Sequence, residues 1–146
     1  MNLARILAID YGRKRTGIAV TDPQKIIASG LTTIPSHEVM SFLKKYFITD
    51  EEVEMVVVGY PRKLDNTASE ALIYVNPFVK KLKKEFPQMG IELIDERFTS
   101  KMAFQSMIQG GVKKEKRKDK GLIDKVSATI ILQSYLESQS GFNNNF

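Results

Sequence analysis

The segment LARILAI, at residues 3–9, is a nearly continuous apolar run that ends at an acidic residue, Asp10. An apolar run of this kind is typical of a strand buried on both faces, as in the sheets of α/β proteins. The cationic run RKR follows at residues 13–15, directly after Gly12, and a second apolar segment begins at Thr16. The sequence therefore predicts a central strand with a carboxylate at its end and a basic turn beside it.

Strand and helix signals along the rest of the chain predict an α/β fold. Three strands come first and the helices then alternate with two more, which indicates a five-stranded mixed sheet flanked by helices on both faces. Ser36 is the expected N-cap of the first helix, and Pro77 is expected to kink the second helix without dividing it. The expected strands cover residues 3–9, 16–22, 25–34, 54–61 and 91–96, and the expected helices cover 35–47, 67–86, 100–109 and 122–138.

Length and composition bound the class of protein. A chain of 146 residues fits a single domain, expected at 1–138, and its polar end predicts a disordered tail at 139–146. Cysteine is absent, so disulfides and thiolate metal sites are excluded. The sequence shows neither a signal peptide nor an apolar run long enough to span a bilayer, so a cytoplasmic protein without a membrane partner is expected.

Basic residues outnumber acidic ones and lie in clusters. The formal net charge is +5, and Lys and Arg concentrate at 13–15, 80–84 and 113–120. A mildly basic, solvated surface explains the net charge by itself, whereas clustered Lys and Arg gain affinity for phosphate backbones by releasing counterions. Two of the clusters lie next to glycines in expected loops. This distribution favours nucleic acid as the partner.

Acidic residues lie where the ends of the expected strands meet. Asp10 ends the first strand, Asp95 and Glu96 end the fifth, and Asp124 lies in the first turn of the last helix. Parallel strands bring their carboxyl ends to one edge of a sheet, where open α/β sheets form their binding crevices. Asp124 shares a helix face with small and apolar residues at 128, 131 and 135, so its side chain is expected to point toward the sheet.

Each acid also has a structural interpretation, as a turn cap, a helix N-cap or an ion-pair partner of Arg97. Taken separately, these interpretations do not explain why the acids gather at one edge. Carboxylates that lie close together raise one another's pKa unless cations neutralise them. Mg²⁺ or Mn²⁺ is the expected cation because both prefer oxygen ligands, and two such ions beside basic loops favour phosphoryl chemistry. The single histidine, His37, is expected to face solvent.

Four motifs occur in order along the chain: AIDYGRKRTGIAV, VVVGYPRKLDNTASE, IDERFTS and, after a basic loop, IDKVSATIILQSYL. Together they resemble the YqgF/RuvX family of the ribonuclease H-like superfamily, over nearly the whole chain. The resemblance implies a ribonuclease H-like fold, metal-dependent hydrolysis of phosphodiester bonds and a role in processing the 5′ end of pre-16S rRNA. Two positions depart from the family pattern: Asn66 replaces a usual glycine, and Ser127 replaces a usual small apolar residue.

The resemblance also implies which residues form the site. Asp10 and Asp124 match two catalytic acids that would also bind the metal ions. The middle acid falls on the DER motif, where Glu96 is preferred to Asp95 because its longer side chain reaches past the strand end. The expected substrate-binding residues are all basic: Arg13, Lys14, Arg15, Arg62, Arg97, Lys113, Lys114, Lys116 and Arg117.

The leading hypothesis is a metal-dependent endonuclease that cuts pre-16S rRNA or other structured RNA and leaves 5′-phosphate and 3′-hydroxyl ends. Three alternatives stay open: a Holliday junction resolvase acting on branched DNA in recombination or repair, a non-catalytic nucleic-acid-binding module, and an actin-like or sugar-kinase ATPase. Symmetric cutting of a junction requires a homodimer, whereas trimming of an RNA end needs only a monomer. The basic loop at 112–120 is either a solvated tether or a segment that orders when substrate binds, and the sequence leaves both alternatives open.

Overall fold

The computed structural model describes residues 4–49, 52–61, 70–95 and 120–144. The predicted helix at 100–109 and the predicted loop at 112–120, apart from the last residue of that loop, lie outside the described residues. The strands are β1 (Arg5–Tyr11), β2 (Arg15–Thr21), β3 (Ala28–Pro35), β4 (Val53–Tyr60) and β5 (Gly90–Asp95). The helices are α1 (Val39–Phe47), α2 (Leu72–Glu85) and α3 (Lys120–Asn144), and a 3₁₀ turn (Ser36–Glu38) precedes α1.

The five strands form one mixed sheet in the order β3-β2-β1-β4-β5. Short turns join β1 to β2 and β2 to β3, so these pairs are antiparallel. On the other side of β1, β4 and β5 run parallel to it, and a parallel pair needs a long crossover, which α2 supplies between β4 and β5. The predicted mixed sheet is therefore confirmed.

The central strand β1 is buried on both faces, as its apolar run predicts. Leu7 and Ile9 pack in a core with α1 and α2, whereas Ile6 and Ala8 pack in a second core with α3. Successive side chains of a strand point to opposite faces. Odd-numbered residues of β1 therefore face α1 and α2, and even-numbered residues, including Asp10, face α3.

The inward face of α3 carries the residues predicted for it. Ala128, Ile131 and Tyr135 are buried against the sheet, and Ser127 is buried beside them. A small side chain at residue 127 suits the close approach of this helix to the strands. The helix continues past its predicted end at Ser138, and its backbone extends to Asn144.

The expected N-cap at Ser36 is wrong. The chain first forms the 3₁₀ turn, and α1 begins only at Val39, without a side-chain cap. The Ser36 hydroxyl instead donates to the carbonyl oxygen of Gly12 at 2.6 Å and lies 2.8 Å from Thr16 Oγ1. The hydroxyl therefore bonds to residues in and beside the β1–β2 turn and not to the helix end, and no local sequence pattern predicts such distant partners.

The third strand begins at Ala28, later than predicted, because residues 22–27 form a turn around a carboxylate. Backbone N–H groups of Gln24, Ile26 and Ile27 donate to the side chain of Asp22 at 3.1, 2.8 and 2.7 Å. These bonds satisfy donors that a longer strand would have paired. Ile26 and Ile27 are consequently exposed instead of lying in the sheet.

Two further expectations concern the helices. α2 is one helix with Pro77 inside it, as predicted, but residues 70 and 71 form a turn and the helix begins at Leu72; the kink at Pro77 stays a prediction. Within the described ranges, no helix combines the length and apolarity needed to cross a membrane. The domain limits at 1–138 and the disordered tail at 139–146 stay predictions.

Candidate active site at the carboxyl edge of the sheet

Three parallel strands end at the same edge of the sheet. The pairing of β1 with β4 and of β4 with β5 brings Asp10, Tyr60 and Asp95 toward this edge. Asp10 is half-buried and lies two residues after Ala8, which packs against α3. Strand alternation therefore directs the Asp10 side chain to the α3 face of the sheet.

Asp124 reaches the same place through a glycine in the neighbouring strand. Gly17 is the antiparallel partner of Asp10, and α3 lies directly against it. A Cβ atom placed on Gly17 would lie 2.0 Å from the carbonyl oxygen of Asp124, so no larger residue fits without moving the helix. Two acids that are far apart in the sequence are therefore next to the same glycine, and this relation is the geometric basis of the site.

Asp124 lies more than one turn inside α3, because the helix begins at Lys120 and not at residue 122. This position excludes the helix N-cap as the role of Asp124. Its carboxylate instead accepts a hydrogen bond from Arg15 Nε to Oδ2 at 3.1 Å. The side chains of Arg15 and Asp124 are 40% and 24% exposed, so the ion pair lies at the mouth of the site and not in the core. The Arg15 guanidinium therefore balances the negative charge of the Asp124 carboxylate.

The basic turn between β1 and β2 is tightly built. Gly12 N donates to the carbonyl oxygen of Arg15 at 3.0 Å, and a Cβ on Gly12 would lie 2.4 Å from that same oxygen. The turn therefore requires glycine at this position. Arg13 and Lys14 are exposed at its tip, where their cationic groups are accessible to a phosphate backbone.

Two buried hydroxyl groups hold this turn, and neither was among the predicted site residues. The backbone N–H of Ser36 donates to the Lys14 carbonyl oxygen at 2.9 Å, and the Ser36 hydroxyl donates to the Gly12 carbonyl oxygen. Thr16, fully buried in β2, contacts the Ser36 hydroxyl. The only sign of this role in the sequence is that both residues are polar and lie where the neighbouring strand or helix residues are apolar. They position the turn and do not reach into the site.

Of the two candidates for the middle acid, the structure describes only Asp95. Ile94 packs against the α3 core, whereas Tyr60, the pairing partner of Asp95, packs against the opposite core. Strand alternation therefore directs Asp95 away from Asp10 and Asp124. Glu96 lies outside the described residues, and the same is true of several predicted substrate-binding residues, namely Arg62, Arg97, Lys113, Lys114, Lys116 and Arg117.

Within the ranges that the structure describes, no three His, Cys, Asp or Glu side chains form a group able to hold a metal ion. Two acids, Asp10 and Asp124, nevertheless both lie next to Gly17 on the α3 face. His37 is exposed, as predicted, and its Nε2 lies 3.9 Å from a carboxylate oxygen of Glu38. Among the described residues, the carboxylates of Asp10 and Asp124 are thus the available metal ligands at this edge.

The family whose sequence model is described as RuvX, Holliday junction resolvase, matches residues 4–138. The chain belongs to the RuvX family. The relatives of this RuvX chain include proteins described as candidate pre-16S rRNA nucleases. One from Christiangramia forsetii is 58% identical over 134 residues, which cover 92% of this chain and 98% of the relative. Another, from Porphyromonas gingivalis, is 54% identical over 136 residues, covering 93% and 98%.

Solved structures agree with the fold of this RuvX chain. The Holliday junction resolvase of fowlpox virus superposes with a TM-score of 0.56 at 15% sequence identity, covering 92% of this chain and 99% of the resolvase. The same resolvase in complex with Holliday junction DNA gives a TM-score of 0.56 at 13% identity. The predicted ribonuclease H-like fold and family are confirmed. The family and the relatives also confirm the predicted class of enzyme, a nuclease.

Proposed function

We propose that this RuvX chain is a metal-dependent endonuclease that processes the 5′ end of pre-16S rRNA, with Asp10, Glu96 and Asp124 as its catalytic acids. The observation that carries the proposal is that Gly17 pairs with Asp10 in the sheet and packs against the backbone of Asp124, on one face of the sheet. The names of the relatives support pre-16S rRNA as the substrate.

The donor chemistry of this edge fits a hard divalent cation. Carboxylate oxygens are the ligands that Mg²⁺ and Mn²⁺ prefer, and a buried strand fixes the Asp10 carboxylate in place. Asp10, Asp124 and Glu96 would hold the ions. Two bound ions would supply a nucleophilic hydroxide and charge stabilisation for the leaving oxygen.

The chain's own residues orient the substrate at this edge. Arg15 holds the Asp124 carboxylate through Nε and keeps its other guanidinium donors for a phosphate oxygen. Arg13 and Lys14 extend the positive charge along the approach to Asp10. This arrangement favours a phosphodiester that lies across the end of β1, with cleavage leaving a 5′-phosphate and a 3′-hydroxyl.

The middle acid is assigned to Glu96 because Asp95 is directed to the other face of the sheet. The assignment is tested by comparing Glu96→Gln with Asp95→Asn. We expect Glu96→Gln to lower the cleavage rate by at least about a hundredfold, since removal of even an outer-shell partner of a metal ligand costs 10- to 100-fold. Asp95→Asn should cleave at the wild-type rate. The reverse result would move the site to Asp95.

A second candidate function is resolution of Holliday junctions, which the description of the family favours. The deciding experiment is a cleavage panel that contains a pre-16S rRNA leader, an unstructured single-stranded RNA and a four-way DNA junction. Each substrate is incubated with Mg²⁺, with Mn²⁺ and with EDTA. Cleavage of the rRNA leader alone, lost in EDTA, supports the proposal.

Preferential cleavage of the four-way junction would support the second candidate instead. Such activity would also require a homodimer to cut both strands symmetrically, which sedimentation of the same preparation would detect. Binding of all three substrates without cleavage under either metal would contradict both candidates and favour a non-catalytic module.

A further inference from the structure

A groove of about 470 Å³ opens on the face of the sheet opposite to α3. One wall is the outer surface of α2, the other is the 3₁₀ turn with the start of α1, and Tyr11 of β1 also lines the groove. The Tyr11 ring stacks on Phe78 with centroids 4.1 Å apart and an interplanar angle of 9°. The lining of the groove therefore includes an aromatic pair that is fixed in place, because Phe78 is buried in the core.

Tyr11 connects this groove to the candidate active site. It follows Asp10 directly in β1, and the two side chains point to opposite faces of the sheet at its edge. Ser36, which lines the groove, also holds the basic turn through the carbonyl oxygens of Gly12 and Lys14. A nucleic-acid strand that crosses this edge of the sheet at Asp10 would therefore pass from the acids on one face to the groove on the other face.

The chemistry of the groove suits an unstacked nucleobase. Tyr74 lies one helical turn before Phe78 and adds a third aromatic ring beside Tyr11 and Phe78, while Ile73 extends the apolar wall into solvent with 77% exposure. Lys81, exposed at the rim, adds the positive charge that a sugar-phosphate backbone requires. Stacking platforms combined with cationic groups are the common way in which proteins bind single-stranded RNA.

We propose that this groove binds one base of the substrate strand, in a nucleotide that neighbours the scissile phosphate, and that Tyr74, Ile73 and Lys81 form the binding surface. The inference rests on the proposed function, because it takes the scissile phosphate to lie at Asp10. It adds a binding site for single-stranded RNA at the cleavage edge. Base binding in the groove would favour substrates whose bases are unpaired next to the cut.

The test measures binding without cleavage. A fluorescein-labelled single-stranded RNA of about 12 nucleotides is titrated with protein in EDTA, and anisotropy gives the dissociation constant. Tyr74→Ala should weaken binding about tenfold, whereas Tyr74→Phe, which keeps the ring, should bind like the wild type. Equal affinity of the wild type and Tyr74→Ala would overturn the proposal.

A pair of exposed isoleucines controls for damage to the fold. Ile73 lines the groove, whereas Ile48 is 84% exposed at the end of α1 and lies outside it. Ile73→Ala should weaken RNA binding severalfold, and Ile48→Ala should not change it. Lys81→Gln and Lys83→Gln form a second pair on α2, in which only the Lys81 variant should reduce the salt dependence of binding. Equal effects within either pair would overturn the proposal.

Abasic RNAs identify the base. In a set of RNAs that each lack one base, a single position should weaken wild-type binding about tenfold and should have no further effect on Tyr74→Ala. If the missing base and Tyr74→Ala each weakened binding by the same factor alone and in combination, the groove would not be the site that binds this base. Displacement of the RNA by an equal concentration of a nucleoside monophosphate would also contradict the proposal, because the groove would then bind free nucleotide. Failure of the proposed function appears separately, as a wild-type cleavage rate for Asp10→Asn.

Discussion

Arg15 Nε donates to Asp124 Oδ2 at 3.1 Å, across 109 positions of the chain. The contact joins the basic turn after β1 to the last helix, and it lies next to the strand position where Asp10 meets Gly17. The charges that we propose for phosphate and metal binding are thereby held in one arrangement. Preorganised charge of this kind reduces the reorganisation that binding and reaction require.

Replacement of Arg15 should affect substrate binding more than stability. The ion pair is partly exposed, so Arg15→Gln should lower the free energy of unfolding by no more than about 1 kcal/mol. The loss of one phosphate contact should reduce the slope of log Kobs against log salt by about 1. Urea unfolding and RNA-binding titrations at several salt concentrations check the two values. A large loss of stability with an unchanged salt slope would show that Arg15 is only structural.

Gly17 should tolerate no side chain. In Gly17→Ala the new Cβ meets the Asp124 backbone at 2.0 Å, so α3 must shift away from the strand. We expect a loss of stability of about 1–3 kcal/mol, typical of overpacking, together with loss of cleavage.

Gly30→Ala is the matched control for this substitution. Its Cβ meets Lys125 Cγ at 2.7 Å, and a flexible side chain can move aside. The control should therefore keep cleavage activity. Similar activity in both alanine variants would show that the position of Asp124 against β2 does not matter for the chemistry.

Ser36→Ala should loosen the basic turn. The change removes the hydroxyl that donates to the Gly12 carbonyl oxygen and leaves Thr16 Oγ1, which is buried, without this partner. An unsatisfied buried polar group costs about 1–3 kcal/mol, and we expect a loss of stability in that range with a higher KM for RNA. The double variant Ser36→Ala with Thr16→Val should recover part of the stability. A double variant as unstable as the sum of the single variants would contradict the shared hydrogen bond.

Asp22 should contribute to the acid limb of the stability curve. Backbone N–H donation by Ile27, and also by Ile26 and Gln24, lowers the pKa of this carboxyl below its ordinary value of 3.8. Because the pKa is lower in the folded state, the stabilisation is complete above the unfolded value and is lost as pH falls through the folded value. The free energies of unfolding of the wild type and Asp22→Asn, measured in urea, should therefore differ more at neutral pH than at pH 3, which is roughly one unit below the pKa of aspartate in the unfolded state. A difference independent of pH would contradict the ionised turn.

The sequence was sufficient for the parts of the fold that depend on local patterns. The apolar run at 3–9 predicts a strand buried on both faces, and spacing on the last helix predicts the inward face that includes Ala128 and Ile131. Both follow because hydrophobic periodicity is set by the geometry of one element. The inward direction of Asp124 follows from the same helix spacing, and the position of Asp10 at the carboxyl edge follows from the end of the apolar run.

The contacts between distant segments could not be predicted. The Ser36 hydroxyl resembles a helix cap in sequence, yet it bonds to Gly12, 24 positions away. The Arg15–Asp124 pair and the seat of α3 on Gly17 likewise depend on how separate elements pack. The choice between Asp95 and Glu96 was argued from side-chain length, whereas the register of β5 shows that the face of the sheet is the stronger criterion.

The central claim is that Asp10 acts in catalysis, and the cleavage rate of Asp10→Asn tests it most directly. Single-turnover cleavage of the pre-16S rRNA leader is measured with saturating enzyme and Mg²⁺, beside Asp95→Asn as the control at the same edge. Asp10→Asn should cleave at least about a hundredfold more slowly than the wild type while it unfolds at the same urea concentration, and Asp95→Asn should match the wild type. A wild-type rate for Asp10→Asn would contradict the proposed site.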